Sequence, residues 1–325
     1  MQRRTIMKVK IFGIRGSMSV SSPENVVYGG NTTCLQISSS CIPSGVALAV
    51  DAGTGLLPLS MGAVKAGLKK LVVLMTHWHH DHTQGITMAP HTFMGDEVVL
   101  YGPEDHGIGP KEVMEQLMKE PFFPVNYKKV KNRFTCKPMD NIGTEVIIIH
   151  PKHGIHKIQI SEYHKAVSEG EKGRVCNGRC LLSECLVVLM YRTTHPEQTI
   201  SYRFIEMPTQ KTFVFLTDHE CTAAFPTDLV NHVKNADVLI VDGQYSKVRY
   251  DSATAGFGHA TPEYCAQLAH KCNVKTFGIT HHDPFATDSD VEMRLEEAKA
   301  ELVKLGSSIK AESIFACACY QEVEV

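Results

Sequence analysis

No stretch of this chain reaches the roughly 18 apolar residues that a membrane span needs. Neither sign of charge is in excess, since 33 Lys and Arg against 35 Asp and Glu leave −2. Proteins that grip long nucleic acids by neutralising phosphates are usually basic, so neither a membrane nor a long nucleic acid is the expected partner. The eleven cysteines are odd in number and scattered, which excludes a complete disulfide framework. Met1-Gln2-Arg3-Arg4 leads straight into a strand-like segment with no apolar leader region. The expected location is therefore the reducing cytoplasm. There is one tryptophan, and there is no internal repeat, low-complexity tract or linker. What remains is ordinary: 43% hydrophobic and 21% charged residues over 325 positions, enough for a substantial core and read as a single domain spanning 1–325.

Short apolar runs alternate with helical patterns. The runs Lys8–Phe12, Cys34–Ser38, Val46–Val50, Leu71–Met75, Glu97–Leu100, Glu145–Ile149, Ile200–Ile205, Thr212–Leu216, Val238–Val241, Thr276–Ile279 and Ser313–Ala316 read as strands. Helices are predicted over Leu56–Ala66, Pro110–Lys119, Thr222–Lys234 (with Thr222 as cap), Pro262–Lys271 and Ser289–Leu305. Strands separated by helices in both halves predict sheets covered by helices, a layered α/β (α+β) protein. The segment 150–192 holds four histidines, a stretch of glycine and charge, and Cys176, Cys180 and Cys185. It reads as an insertion that shapes a lid or a dimer contact, with a turn at its centre.

The densest chemistry is His77-Trp78-His79-His80-Asp81-His82, in the order HxHxDH, directly after the run Leu71–Met75. Histidines placed where a strand ends sit where α/β proteins keep their sites. Side chains alternate along an extended segment, so His77 and His79 share a face while Asp81 and His82 project from the following turn. One arm serving two neighbouring cations is the natural reading, because imidazole and carboxylate are both metal ligands. Four ligands are too few for two cations. Further donors end other apolar runs: Thr194-His195-Pro196, Leu216-Thr217-Asp218-His219, whose carboxylate could bridge, and Thr280-His281-His282-Asp283-Pro284. Their repeated placement at strand ends predicts that they converge on one sheet edge.

These residues, together with Leu48–Gly55 around Asp51, resemble the metallo-β-lactamase superfamily over nearly the whole chain. The resemblance implies a four-layer αββα sandwich. It also implies one metal held by His77, His79 and His195, a second held by Asp81, His82 and His281, and Asp218 bridging both. Asp51 would buttress a ligand histidine by a hydrogen bond. Ile14-Arg15-Gly16-Ser17 with Tyr28–Thr32, Gly258-His259-Ala260-Thr261 and Thr280–Pro284 resemble the phosphodiesterase and tRNA 3′-processing branch, without its long basic arm. The function this implies is a dinuclear phosphodiesterase acting on a small substrate, a cyclic nucleotide or cyclic dinucleotide foremost. The attacking group would be a hydroxide held between the two metals. Zinc is the expected metal, with manganese or iron as alternatives. Asp81 is expected to orient the attacking water as well as bind metal, and His259 to protonate the leaving group. Arg15, Asn31, Phe122 and Phe123 are expected substrate contacts. Alternatives are a thioester, lactone or amide hydrolase on the same centre, or a catalytically silent nucleotide-binding protein.

Several residues have plainer readings. His259 could cap the helix that starts near Thr261. His80, His219 and His282 should face away from the ligand cluster, and Trp78 should pack in the core. The Cys176, Cys180 and Cys185 spacing departs from the usual zinc knuckle, and buried free cysteines are common. A homodimer is expected.

Overall fold

A computed structural model describes residues 6–325, so the reading of Met1–Arg4 lies outside the described residues. The N-terminal half supplies strands β1 (Lys8–Gly13), β2 (Cys34–Ser38), β3 (Val46–Val50), β4 (Lys70–Leu74), β5 (Glu97–Pro103) and β6 (Phe134–Met139). There follow β7 (Glu145–His150), β8 (Gly154–Gln159), the two-residue β9 (Arg174–Val175) and β10 (Cys180–Leu181), and β11 (Leu186–Arg192). The rest are β12 (Ile200–Glu206), β13 (Lys211–Leu216), β14 (Val238–Asp242), β15 (Thr276–Thr280), β16 (Ile314–Ala316) and β17 (Glu322–Glu324). They form a seven-stranded sheet in the order β17-β1-β2-β3-β4-β5-β6, an eight-stranded sheet in the order β16-β15-β14-β13-β12-β11-β7-β8, and the β9–β10 hairpin.

Side-chain alternation explains how the sheets stack. In β4, Val72 and Leu74 enter a core shared by both sheets, with Val50 from β3, Ile147 from β7, Tyr202 and Phe204 from β12 and Phe213 from β13. The opposite face of β4, Leu71 and Val73, packs against the helices Leu56–Lys65 and Pro110–Leu117. A strand buried on both faces reads as a continuous apolar run, which is how β4 was legible. The outer face of the second sheet is covered by helices Thr227–Val233, Pro262–Lys271 and Asp288–Lys304. The result is the expected αββα sandwich. Each fully buried aliphatic or aromatic side chain in these layers stabilises it by roughly 1.5–3 kcal/mol.

Residues 150–192 join the second sheet at both ends. β8 is its edge strand, and β11 pairs with β7 and β12. Between them, helix Ile160–Ser168 and the β9–β10 hairpin cover the outer face around Val146, Ile148 and Val187. The helix predicted from Thr222 begins only at Thr227, because Pro226 occupies its N-cap position. No helix among the described residues is long and apolar enough to cross a membrane.

β3 and β4 run parallel in one sheet, and β13, β14 and β15 run parallel in the other. Their C-terminal ends carry Asp51, the His77–His82 segment, Asp218, Asp242 and His281. Ligand chemistry at the carboxyl ends of parallel strands follows the general rule for such sheets.

Candidate metal centre

Backbone geometry aims the donors. Asp51, Asp218 and His281 each leave their strand in the left-handed region, with φ of 60°, 53° and 61°. Non-glycine residues adopt that region at a cost, and they do so chiefly where the surrounding structure dictates a side-chain direction. Two glycines pass where nothing larger fits. A Cβ on Gly16 would lie 2.4 Å from His281 Nδ1, and one on Gly258 would lie 2.1 Å from His195 Nδ1.

The donors gather in two adjoining sets. Ligand atoms of His77, His79, His195 and Asp218 lie within 4.8 Å of one another, as do those of Asp81, His82 and His281. Asp218 faces both: Oδ1 is 3.6 Å from His77 Nε2, while Oδ2 is 3.3 Å from His82 Nε2 and 3.4 Å from His281 Nε2. Around the second position, His82 Nε2 is 3.3 Å from His281 Nε2 and from Asp81 Oδ2, and His281 Nε2 is 3.2 Å from Asp81 Oδ2. Donors about 2.0–2.1 Å from a tetrahedral zinc stand about 3.3–3.4 Å apart, so this cage has the size of such an ion. In the first set, His77 Nε2 is buried and without a hydrogen-bond partner among the described residues. A buried, unpartnered nitrogen facing other donors is costly unless an ion satisfies it. The residues present therefore fit two cations.

Three of the ligand rings are engaged from behind at their Nδ1. Asp51 Oδ2 lies 2.8 Å from His82 Nδ1, and its Oδ1 accepts the Thr76 amide at 2.7 Å. Gln244 Oε1 lies 3.1 Å from His281 Nδ1, and the Gly258 carbonyl oxygen 3.1 Å from His195 Nδ1. Carbonyl and carboxylate oxygens only accept, so these contacts keep the proton on Nδ1 and leave Nε2 for a metal. The Ser17 amide donates to Asp81 Oδ2 at 2.8 Å, which gives the Arg15–Ser17 loop its place in the centre.

Electrostatics agree with this division. Burial, against the pull of Asp218, lowers His77 well below the ordinary histidine value and also lowers His79 and His195, which favours the neutral form that binds metal. Burial opposes charge on His82 and His281 as well. There the carboxylates prevail: Asp81, Asp218 and Asp51 raise His82 well above its usual range, and Asp218, Asp242 and Asp81 raise His281 to about 9. Burial works against the charge on Asp218 and Asp81, yet the surrounding histidines hold both far below the ordinary carboxylate range. In the metal-free chain, protons on His82 and His281 thus occupy the place of cations.

The other expected site residues fall in different places. His259 joins the cluster, its Nδ1 2.8 Å from Asp242 Oδ2 and its ring 4.9 Å from that of His281. The cap of helix Pro262–Lys271 is Thr261, not His259. Arg15 is fully buried and donates to the carbonyls of Gly29, Asp283 and Ala286. It clamps two loops through these bonds, and its second terminal nitrogen has no hydrogen-bond partner among the described residues. Asn31 bonds the Phe12 carbonyl and Thr54. Phe122 projects into solvent at 81% exposure, and Phe123 packs on the helical layer of the first sheet. Neither lines the cavity of about 300 Å³ beside His77 and His79, whose walls include Trp78, Pro103, Asp105, Ile108 and Glu197. Trp78 therefore lines a cavity wall, with its indole N–H donated to the Pro103 carbonyl. His80 is exposed, His219 meets the Tyr264 hydroxyl, and His282 meets the Cys317 carbonyl.

Sequence reasoning missed Asp242 and Gln244. The strand reading ended at Val241, one residue short of a carboxylate placed like Asp51 and Asp218 at the end of an apolar run. That repeated pattern was the signal available.

With the geometry in place, comparison with known proteins is direct. Residues 48–282 match the family described as the Beta-lactamase superfamily domain. Ribonuclease Z of Clostridium acetobutylicum is 24% identical over 327 aligned residues, spanning 95% of this chain and 98% of that protein. Among solved structures, unliganded yeast PDE1 superposes with a TM-score of 0.61 at 12% identity, over 98% of this chain and 99% of that one. The metallo-beta-lactamase fold protein YhfI from Bacillus subtilis does so with 0.58 at 15%, over 98% and 100%. At these identities the structural likenesses speak for the fold.

Proposed function

The chain belongs to the beta-lactamase superfamily and is a metal-dependent hydrolase; from that premise we propose that it cleaves a small phosphodiester, a cyclic nucleotide or cyclic dinucleotide foremost. The observation that carries this reading is the His259–Asp242 pair against the ligand cluster. An alkoxide leaving group needs a proton as it departs, whereas a thiolate, with a thiol value near about 8.5, leaves without one. With Nδ1 committed to Asp242, Nε2 of His259 is the nitrogen left to deliver that proton, and Asp242 stabilises the charge on the ring until it does.

The proposed holders are His77, His79 and His195 for one cation and Asp81, His82 and His281 for the other, with Asp218 between them. Two such ions, zinc first and manganese or iron next, would ionise water and offset phosphate charge. The protein's own share is orientation. Asp51, Gln244 and the Gly258 carbonyl fix the rings, the Ser17 amide fixes Asp81, and Asp81 in turn aligns the attacking water. His79 is exposed and His195 half-buried, while Asp81, His82 and His281 are buried. Substrate therefore enters from the His79 side, beside Trp78 and Ile108.

Size and charge favour a small substrate. The cavity is at the lower end of small-molecule sites, and Asp105 and Glu197 on its wall repel an extended polyanion. The cationic run Lys128–Arg133 precedes β6, whose first residue pairs with Val98, so it lies at the opposite end of β5 from Pro103 and the cavity. The Ribonuclease Z relative supports an RNA phosphodiester as the second reading.

The test is turnover by the zinc-loaded protein on bis-p-nitrophenyl phosphate, cyclic mono- and dinucleotides, a precursor tRNA and a thioester. Fastest turnover on a cyclic nucleotide is the expected result. A thioester hydrolysed faster than every phosphodiester overturns the proposal, and specific tRNA cleavage replaces it with the second reading.

A further inference from the structure

Far from the histidine cluster, the segment 150–192 brings together a different donor set. Ligand atoms of His156, Cys176 and Cys180 lie within 4.8 Å of one another. His156 belongs to β8, Cys176 follows β9 and Cys180 opens β10, so three elements meet at one point. Both cysteines are buried and His156 is half-buried, which differs from thiols scattered over a surface. A cavity of about 380 Å³ borders the cluster, lined in part by Glu162, His156 and Cys176.

Two features fit this cluster to a cation. The Cys176-Asn177-Gly178 turn runs through three consecutive left-handed residues, with φ of 60°, 56° and 78°. This bend curls the hairpin so that Cys176 returns toward Cys180, and a cysteine adopts it only at a cost. His156 Nε2 lies 2.6 Å from the His153 carbonyl oxygen. That contact makes Nε2 the protonated nitrogen and leaves Nδ1 as the lone-pair donor, as behind many ligand histidines.

We propose that His156, Cys176 and Cys180 form a third, thiolate-containing metal site that takes zinc and pins the β9–β10 hairpin to the edge strand β8. Two thiolates and an imidazole suit zinc and disfavour magnesium, calcium or manganese. On binding, each thiol releases its proton to solvent, so two thiolates balance the charge of one divalent ion. Glu162, whose Oε1 accepts the Asn177 amide at 3.3 Å, stands beside the fourth position. Cys185 is outside the mutual set, its thiol donating to the Leu181 carbonyl at 3.3 Å. The consequence is mechanical. An edge strand invites foreign pairing unless it is covered, and a crosslink from β8 to the hairpin keeps helix Ile160–Ser168 and the hairpin on the sheet.

Cobalt distinguishes this site from the centre described above, because only bonded thiolate gives a near-ultraviolet sulfur-to-cobalt charge-transfer band. The full chain, stripped by chelator and reloaded with cobalt(II), should show that band. Cys176→Ser/Cys180→Ser should abolish it and bind one fewer cation per chain, with the visible bands of the histidine centre unchanged. Cys185→Ser should retain it, and His77→Ala should reduce the visible bands while sparing the ultraviolet one. Should the double variant not fold, alkylation of the wild-type chain decides: zinc should protect Cys176 and Cys180, and chelator should expose them. Lack of the band in wild type, its survival in the double variant, or a Cys176–Cys180 disulfide in the protein as isolated overturns the proposal. None of these outcomes bears on the histidine centre.

Discussion

The rings of His195 and His259 lie 5.5 Å apart, yet the two residues have different proposed tasks. His195 rests on a neutral carbonyl, as a ligand that stays uncharged can. His259 rests on Asp242, which suits a ring that must carry a proton. Asp218, His259 and His281 also come close enough to share an ion, so substitution is the arbiter. His259→Ala should lower kcat by about 10²–10⁴-fold and leave metal content intact. Loss of a cation in metal analysis of that variant would move His259 into the ligand set. Gly16→Ala tests positioning by the backbone. Its Cβ would intrude to 2.4 Å from His281 Nδ1 and push the ring off its cation. Zinc affinity measured by chelator competition should fall, while the circular dichroism spectrum is retained.

Among the elements, those ending in site residues were the most legible. β3, β4, β13, β14 and β15 are short apolar runs buried on both faces, and a fixed stop follows each. β6 and β8 escaped because they are sheet edges. Lys137, Pro138, Lys157 and Gln159 break the apolar pattern where only one face is covered. β11 is apolar, but it was absorbed into an apparent insertion whose histidines and cysteines drew attention from its ladder. Helix Ile160–Ser168 is only nine residues long and was absorbed into the same apparent insertion, although Ile160, Tyr163 and Ala166 share its inner face. At helix Asp288–Lys304 the reading was nearly complete. Its cap proves to be Thr287, paired with Asp290 in a capping box. Thr287→Ala should therefore cost about 1 kcal/mol in denaturant unfolding, with turnover per folded molecule unchanged.

Across the whole molecule, pH reports on the protons that fill the metal-free centre. His82 and His281 have folded-state values raised above their unfolded ones, His281 to about 9. Their contribution to stability is full below about pH 6.5 and disappears as pH rises through the folded values. The chelated protein should therefore melt at a lower temperature near pH 10 than near pH 6.5. Asp81 and Asp218, shifted the other way, lose their contribution only in acid. With metal bound, the histidines are neutral ligands and their share of the alkaline decline should vanish, leaving the smaller decline that the buried thiols of Cys34, Cys265 and Cys317 and the Tyr202 hydroxyl, all raised by burial, cause in both forms. Melting curves of both forms across that range check the sign, and an equal alkaline decline in both would refute it.

The donors also come from two separate sheets. His77–His82 hang from the first, and His195, Asp218 and His281 from the second, with one carboxylate facing both positions. Ions seated there would rivet the two layers together at the strand ends. Starvation for metal would then do more than idle the enzyme: the seam between its halves would loosen, and the amount of surviving protein would track metal supply along with its activity.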